Sequence, residues 1–305
     1  MPPEPHSTGR RLGRRDRRHR LRRNGLAPYV PLAIGLASYA PLPTVSLPGP
    51  TGSAAVATCD DSITDTLDCH KRYPTGCSLS LHPAYDAFLN TLKNRTDVAA
   101  QGPPSPLTLQ NFDHLNQSTP AELNSRNHGQ FATQLAQLGE TREQTVVAYL
   151  YYAKKSGAES PNCSLAETDE EVDYHIGIGF DATLAKRAQD ALQKSPAALK
   201  KIQGELEQAS IVVEMTPHYR ARFHKGWSLE ALQQSIGSEV RVVGQLLMDN
   251  DHNKASDVCG RPDAVRSSCW RYSAWELHPV TAFDVCKAGG CTISSGDWVD
   301  LSTVQ

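Results

Sequence analysis

The fold is decided by residues 210–248, SIVVEMTPHYRARFHKGWSLEALQQSIGSEVRVVGQLLM. The β-branched run over residues 210–216 predicts a strand, and the alternating apolar positions over residues 239–248 predict another. Between them, Ser228 can cap a short helix over residues 229–236. The stretch therefore predicts a strand, a helix and a strand in that order.

Three further apolar runs predict strands and complete the order of the elements. They cover residues 145–152, 172–180 and 271–285, with polar loops between them. Three strands, a helix and two strands is the order of a five-stranded Greek-key barrel of the OB type. A β-sandwich does not need that helix, and a doubly wound sheet needs a helix in every connection. We therefore predict a mainly β protein with helices, an α+β fold built on an OB-like Greek-key barrel.

Helix signals place an insert between the second and third strands. Asp181 can cap one helix, and Ser195 followed by proline can open a second one, so residues 181–208 are predicted as a helical insert. We assign residues 141–291 to the barrel with this insert, and residues 292–305 to a C-terminal tail.

The segment that precedes the barrel is predicted to be an extension without a core of its own. Residues 58–95 hold three cysteines and a short helical pattern over residues 85–93. Residues 97–130 are rich in Pro, Gln, Asn and Ser, which is typical of a wrap or linker. Disulfides are expected to staple this N-terminal extension to the barrel.

Residues 1–57 have the composition of an export signal. A block of nine arginines is followed by a mostly apolar stretch over residues 26–47 and by the cleavage-like triplet Ala55-Val56-Ala57. Four prolines interrupt the apolar stretch, so a stable transmembrane span is not expected. A retained membrane anchor and a disordered basic arm are the alternatives. A loose twin-arginine pattern at residues 22–26 favours a bacterial source, and the predicted location is secreted or periplasmic.

Removal of residues 1–57 would change the charge of the chain. They hold nine of the 31 Lys and Arg residues and two of the 33 Asp and Glu residues, which leaves 22 basic and 31 acidic residues, a net charge of −9. An acidic protein is poorly suited to sequence-independent binding of a phosphate backbone, so nucleic acid is not an expected partner.

Eight cysteines follow the predicted signal, and an even number of cysteines in an exported protein indicates disulfides. They are Cys59, Cys69, Cys77, Cys163, Cys259, Cys269, Cys286 and Cys291. Short loops favour bridges from Cys259 to Cys269 and from Cys286 to Cys291. A bridge from Cys163 to one of the three N-terminal cysteines would tie the extension to the barrel. Structural zinc is the alternative, but the chain has no C-x-x-C pair.

Three segments resemble those of a group of poorly characterised, exported bacterial proteins with an OB-like barrel. They are VVEMTPHYR (residues 212–220), VRVVGQLLMD (240–249) with His252, and WELHPV (275–280). The likeness covers roughly residues 145–286. The resemblance implies a barrel fold and an exported location, and it carries no activity with it.

Three groups of carboxylate and imidazole side chains lie on or beside the predicted strands. They are Glu276 with His278, Asp249 with Asp251 and His252, and His175 with Glu214. If the groups converged, they would suit Zn²⁺, Mn²⁺ or a similar ion, and a carboxylate could activate a metal-bound water. The metal ligands of this hypothesis are His175, Asp249, His252, Glu276 and His278. Strand pairing in the orders 1-2-3 and 1-4-5 does not by itself require convergence.

The alternative for these groups is a structural polar cluster. The i, i+2 spacing of Glu276 and His278 puts both on one face of the fifth strand, opposite Trp275. Acidic and imidazole side chains on strands commonly form cross-strand ion pairs. Arg241 and Arg271 are the candidate partners.

A basic run after the third strand is the candidate binding surface. His218, Arg220, Arg222 and Trp227 combine cationic and aromatic side chains, a pattern typical of sites for anionic polymers. The alternative is a connection whose aromatic side chains pack on the end of the barrel.

The first functional hypothesis is an exported binding or scaffold protein without catalysis or cofactor, whose ligand is an unknown small molecule, oligosaccharide or protein. It predicts that no three of six side chains share one pocket: His175, Glu214, Asp249, His252, Glu276 and His278. The second is a metal-dependent hydrolase, for example a phosphodiesterase. The chain has no nucleophile elbow, zinc-protease helix, Walker loop or dinucleotide fingerprint, and it also lacks the Asp-Gly-Asp-Thr turn of staphylococcal-type nucleases.

Overall fold

The computed structural model describes residues 58–60, 62–78, 86–97 and 106–304. The export signal predicted for residues 1–57 lies outside them. In the described residues, no helix combines the length and the apolar character that crossing a bilayer demands.

Five strands close a mixed β-barrel. They are β1 (Glu143–Lys155), β2 (Tyr174–Gly179), β3 (Ile211–Met215), β4 (Glu239–Met248) and β5 (Trp275–Cys286). Antiparallel pairs join β1 to β2 and β4, β2 to β3, and β4 to β5. A parallel pairing of β3 with β5, at Val213 and Leu277, closes the barrel. The five predicted strands are therefore present, and the third and fifth are neighbours.

The strands alternate between a face in the apolar core and a face outside it. Ile176, Val213 and Leu277 are fully buried members of the main core. Since successive side chains of a strand point to opposite faces, His175, Glu214 and their neighbours lie on the outer face of the same strands. This alternation places the polar side chains of the candidate site on the outer face of the barrel.

Eight α-helices surround the barrel in the described part of the chain. They are α1 (Thr66–Arg72), α2 (Ala87–Lys93), α3 (Leu109–Ser118), α4 (His128–Leu138), α5 (Ala182–Lys194), α6 (Pro196–Gln208), α7 (Pro217–Phe223) and α8 (Leu229–Gln234). Helices α5 and α6 form the predicted insert, and Asp181 and Ser195 cap them as expected. Helix α8 lies between β3 and β4 and is capped by Ser228.

The structure corrects three assignments made from the sequence. Helices α3 and α4 begin within residues 97–130, which were predicted as a loop-rich wrap. A capping box of Thr108 and Asn111 starts α3, and Phe112 and Leu115 anchor it in the core. Helix α7 occupies most of the basic run. A short strand, β6 (Trp298–Asp300), pairs with β5 in the region predicted as a tail.

Four disulfides join the eight cysteines. Cys259–Cys269 and Cys286–Cys291 confirm the two short-loop predictions. Cys69 is the N-terminal partner of Cys163, and Cys59 pairs with Cys77. The bridge from Cys69 to Cys163 ties α1 to the loop between β1 and β2, as predicted for a staple between the N-terminal segment and the barrel.

Candidate functional site

The parallel pairing of β3 with β5 brings four candidate side chains together on the outer face of the barrel. His175 Nε2 lies 2.7 Å from Glu214 Oε1, across the pairing of β2 with β3. His278 Nδ1 lies 3.0 Å from Glu214 Oε2 and 3.2 Å from Glu276 Oε1. The four groups therefore form one contiguous cluster, which pairing in the orders 1-2-3 and 1-4-5 alone would not have produced.

Arg271 extends this cluster toward the end of β4. Its guanidinium donates to Glu276 Oε2 and, at 2.7 Å, to Asp249 Oδ2. The same oxygen of Asp249 lies 2.7 Å from His252 Nδ1. We call the alternating series of His175, Glu214, His278, Glu276, Arg271, Asp249 and His252 the acid–base row.

The middle of the acid–base row is inaccessible to solvent. Its five central side chains, from Glu214 to Asp249, are at most 2% exposed, whereas the terminal His175 and His252 side chains are 18% and 43% exposed. Helix α2 covers the row, because its Leu89 and Leu92 pack on Leu247, the register partner of Glu276. The N-terminal segment thus shields charged groups of the barrel.

Electrostatics keep the row in its ionised form. Burial alone would lower the pKa of the His278 imidazole, but the charge and hydrogen bonds of Glu214 and Glu276 outweigh burial and raise this pKa to about 10. The same balance with Glu214 raises the pKa of His175 to about 9. The two imidazolium charges in turn hold the pKa of the Glu214 carboxyl well below its ordinary value, against the effect of burial. Each carboxylate thereby has a cationic neighbour.

Two further buried groups next to the row, Lys93 and Asp173, were not among the site residues predicted from the sequence. Lys93 of α2 is 7% exposed, and its ammonium group is attracted by Asp249 and Glu214, which raises its pKa well above the ordinary value despite burial. Asp173, just before β2, is 1% exposed, and burial raises its pKa to about 7. The alternation of β2 put Asp173 on the face of His175, but no local pattern links Lys93 to the barrel.

The remaining sequence candidates lie apart from this center or have other partners. Asp251 belongs to the turn after β4, and its backbone N–H donates to Asp249 Oδ1 at 3.2 Å. Arg241, one of the two suggested partners of Glu276, pairs with Asp284 at 2.8 Å instead. The five proposed metal ligands therefore belong to one row but do not surround a single point.

The basic run contributes mostly to packing. His218 is buried and stacks on His70, and Arg220 is buried over the Tyr174 ring, donating to Val172 O at 2.6 Å. Trp227 is buried against His224. Arg222 is the member of the predicted binding set that is exposed to solvent.

Three sets of side chains in the described residues bring His, Cys, Asp or Glu ligand atoms within 4.8 Å of one another. Two of these sets contain cysteines that are held in disulfides and so offer no thiolate. The third set consists of Asp173, Glu214 and His278. It is the arrangement of described residues best suited to hold a metal ion.

No protein-family model, curated protein or solved structure matches the chain. The resemblance to exported bacterial barrel proteins therefore stays a prediction. The features that bear on function are the geometry of the acid–base row and the exposed surfaces.

A second buried ion pair, His128 with Glu140, predicts a pH dependence of stability. His128 Nε2 lies 2.9 Å from Glu140 Oε1, and Nδ1 contacts Asn250 Oδ1. Burial lowers the pKa of His128, but the hydrogen bond and charge of Glu140 raise it above the ordinary 6.5. Because the folded state holds this proton more tightly, the stabilisation is complete below about pH 6.5 and is lost as the pH rises through the folded pKa.

The variant His128→Gln tests this pH dependence. The difference in unfolding free energy between the native chain and the variant should be largest near pH 6 and should shrink as the pH is raised through the folded-state pKa of His128. Urea unfolding across this range measures it. His114→Gln, which removes an exposed imidazole, is the matched control and should give a small difference at every pH. A His128→Gln difference that does not change with pH would contradict the assignment.

Proposed function

We propose that this protein is an exported, disulfide-stapled binding or scaffold protein on an OB-like Greek-key barrel, without catalysis of its own. The observation that carries the proposal is the burial of the acid–base row. Glu214, Glu276 and His278, the groups best placed for chemistry, are at most 1% exposed. A general acid or base has to reach its substrate within hydrogen-bond distance.

Ion pairing supports the same conclusion. Each carboxylate of the row already faces a guanidinium or an imidazolium. Its charge therefore stabilises an internal ion pair and does not act on a reacting group. A hydrolytic metal centre also keeps an open position for water and substrate. A buried structural cluster explains why the candidate side chains lie together. Such a cluster is the alternative to a metal site in the interpretation of the sequence.

The order of pairing supports an OB-like barrel. The strands follow one another around the barrel as β1, β2, β3, β5 and β4, and α8 lies between β3 and β4 in sequence. Such barrels commonly bind oligonucleotides or oligosaccharides on an outer face and on neighbouring loops. An acidic chain favours an oligosaccharide or a protein segment over a nucleic acid.

Export is supported by the composition of residues 1–57 and by the disulfides. Four disulfides are typical of proteins that fold in an oxidising compartment. The resemblance to exported bacterial barrel proteins supports a secreted or periplasmic location.

The exposed side of α7 is the surface that we propose for the ligand. Phe223 is 46% exposed, and the Arg222 guanidinium lies 5.1 Å from the center of its ring. An exposed aromatic ring can pack against a sugar ring or an aromatic side chain of a ligand. The cation beside it favours a ligand that carries a negative charge next to that ring. This surface is the remaining accessible part of the predicted basic run.

A hydrolase screen combined with a binding array tests the proposal. The native chain should not turn over chromogenic phosphodiester, phosphomonoester or carboxylic ester substrates with Zn²⁺, Mn²⁺ or Mg²⁺ above the metal-only rate. On glycan and peptide arrays it should bind a defined subset, and Phe223→Ala should weaken that binding at least about tenfold. Val265→Ala, which trims another side chain that is 46% exposed, should not.

Two outcomes would contradict the proposal. The first is turnover by the native chain that His278→Gln abolishes and Val265→Ala retains, because it would place chemistry at the acid–base row. The second is array binding that Phe223→Ala leaves unchanged, because it would move the ligand surface away from α7.

A further inference from the structure

Two buried carboxylate oxygens beside His278 make no regular hydrogen bond, although one of them, Glu214 Oε2, lies 3.0 Å from His278 Nδ1. Within the part of the chain that the structure describes, Asp173 Oδ1 and Glu214 Oε2 are buried and make no hydrogen bond. Both residues are 1% exposed. Buried polar atoms are almost always bonded, so Asp173 Oδ1, which has neither a hydrogen bond nor an ion pair among the described residues, indicates a missing partner.

The other atom of each carboxylate is fixed by the protein. Glu214 Oε1 faces His175 Nε2 at 2.7 Å, and Asp173 Oδ2 accepts from Asn162 Nδ2 at 3.2 Å. Outer partners of this kind orient metal ligands in known sites. They leave Asp173 Oδ1 without a partner and Glu214 Oε2 facing His278, and the three residues form one set of candidate ligands.

The spacing of these atoms fits a metal ion. One ligand atom each from Asp173, Glu214 and His278 lies within 4.8 Å of the other two. His278 Nδ1 lies 3.0 Å from Glu214 Oε2. Adjacent ligands of an octahedral ion with bonds of about 2.1 Å are also about 3.0 Å apart.

We propose that Asp173, Glu214 and His278 bind a divalent transition-metal ion, Zn²⁺ or Mn²⁺, in a buried structural site. One imidazole with two carboxylates is a ligand set that suits these ions. The ion takes the place of the imidazolium proton as the partner of Glu214. The site joins the segment before β2 to β3 and β5, and its burial separates it from any substrate.

A structural ion at this position is consistent with the absence of catalysis and goes beyond the proposed function. Loss of the ion would loosen the outer face of the barrel, whereas the proposed ligand surface is the exposed Phe223 with Arg222 on α7. The two proposals therefore fail separately: metal content tests the site, and array binding tests the ligand surface.

Metal content and thermal stability of the full chain, purified without chelator, test the site. Elemental analysis should find about one Zn²⁺ or Mn²⁺ per chain. Dialysis against a chelator should lower Tm, and returning the metal at a hundredfold excess over its Kd should raise Tm again by roughly 5 °C. A folded chain with four intact disulfides that contains no metal, and whose Tm neither ion changes, would overturn the proposal and leave a water-filled pocket as the explanation.

A pair of Asp→Asn variants locates the ion. Asp173→Asn should lose the bound metal and the metal-dependent rise in Tm. Asp251→Asn, which changes another partly buried aspartate with an unbonded Oδ1, should keep both. If Asp173→Asn does not fold, the native chain is freed of metal with a chelator and titrated with Zn²⁺ and with Mn²⁺ by calorimetry. The site is excluded if the chain binds neither of the two ions. Equal metal content in both folded variants would also refute it.

Discussion

Replacing Arg271 by methionine is expected to lower the free energy of unfolding by about 3–5 kcal/mol. The Arg271 side chain is 1% exposed and bridges Asp249 and Glu276, which are also buried. Methionine fills much of the same volume but leaves two carboxylates without their cation in a region of low dielectric. Urea unfolding with the disulfides intact measures the loss.

Arg241→Met is the matched control for this prediction. Arg241 also bridges two strands and pairs with an aspartate, Asp284, but its side chain is 29% exposed. A pair that water can reach contributes about 1 kcal/mol or less, so the control should be close to the native chain. If the two variants lost similar amounts of unfolding free energy, burial would not account for the contribution of the Arg271 bridge to stability.

A second substitution separates the charge effect from packing. If unpaired charge causes the loss, adding Glu276→Gln to Arg271→Met should recover part of it, because one of the stranded carboxylates is then removed. If the double variant is as unstable as the sum of the single variants, the loss comes from the shape of the arginine side chain.

The sequence predicted the barrel well because its signals are local. Alternation placed Trp275 in the core and Glu276 with His278 on the opposite face, and Ser228 marked the helix between β3 and β4. The two short-loop disulfides followed from small separations along the chain. Each of these features is decided within about ten residues of sequence.

The acid–base row could be predicted only in part because it depends on contacts between distant segments. The closing contact of β3 with β5 joins Val213 to Leu277, and no local pattern fixes that pairing. Lys93 comes from a helix of the N-terminal extension, so its proximity to Glu214 exists only after the extension has docked. Helix α3 was missed because it has few apolar side chains and is held by tertiary contacts of Phe112 and Leu115.

The acid–base row also links the stability of the barrel to the segment over residues 58–140. Burying charged groups is unfavourable unless each finds a partner, and here the partners come from β2, β3, β5 and the turn after β4. Helix α2 excludes water from them. Release of the N-terminal segment should therefore expose the row to water and remove the Lys93 cation that Asp249 and Glu214 attract.

Removing the bridge between Cys69 and Cys163 should have this effect. The double variant Cys69→Ala with Cys163→Ala is expected to lose about 4–5 kcal/mol, since the bridge spans 94 residues and strongly limits the unfolded chain. Urea unfolding measures the loss. Hydrogen exchange should show that the amides of α1 and α2 become labile first, because the small core around Cys69, Cys77 and Ile63 loses its link to the barrel.

The bridge from Cys286 to Cys291 provides the control for loop length. It spans 5 residues, so its double alanine variant should lose only about 2 kcal/mol by the same relation. Exchange in α1 and α2 should stay at the native rate, since this bridge lies at the end of β5. If the two double variants lost equal stability, or if α2 stayed protected without Cys69–Cys163, the acid–base row and its apolar cover would have to hold the extension without the disulfide.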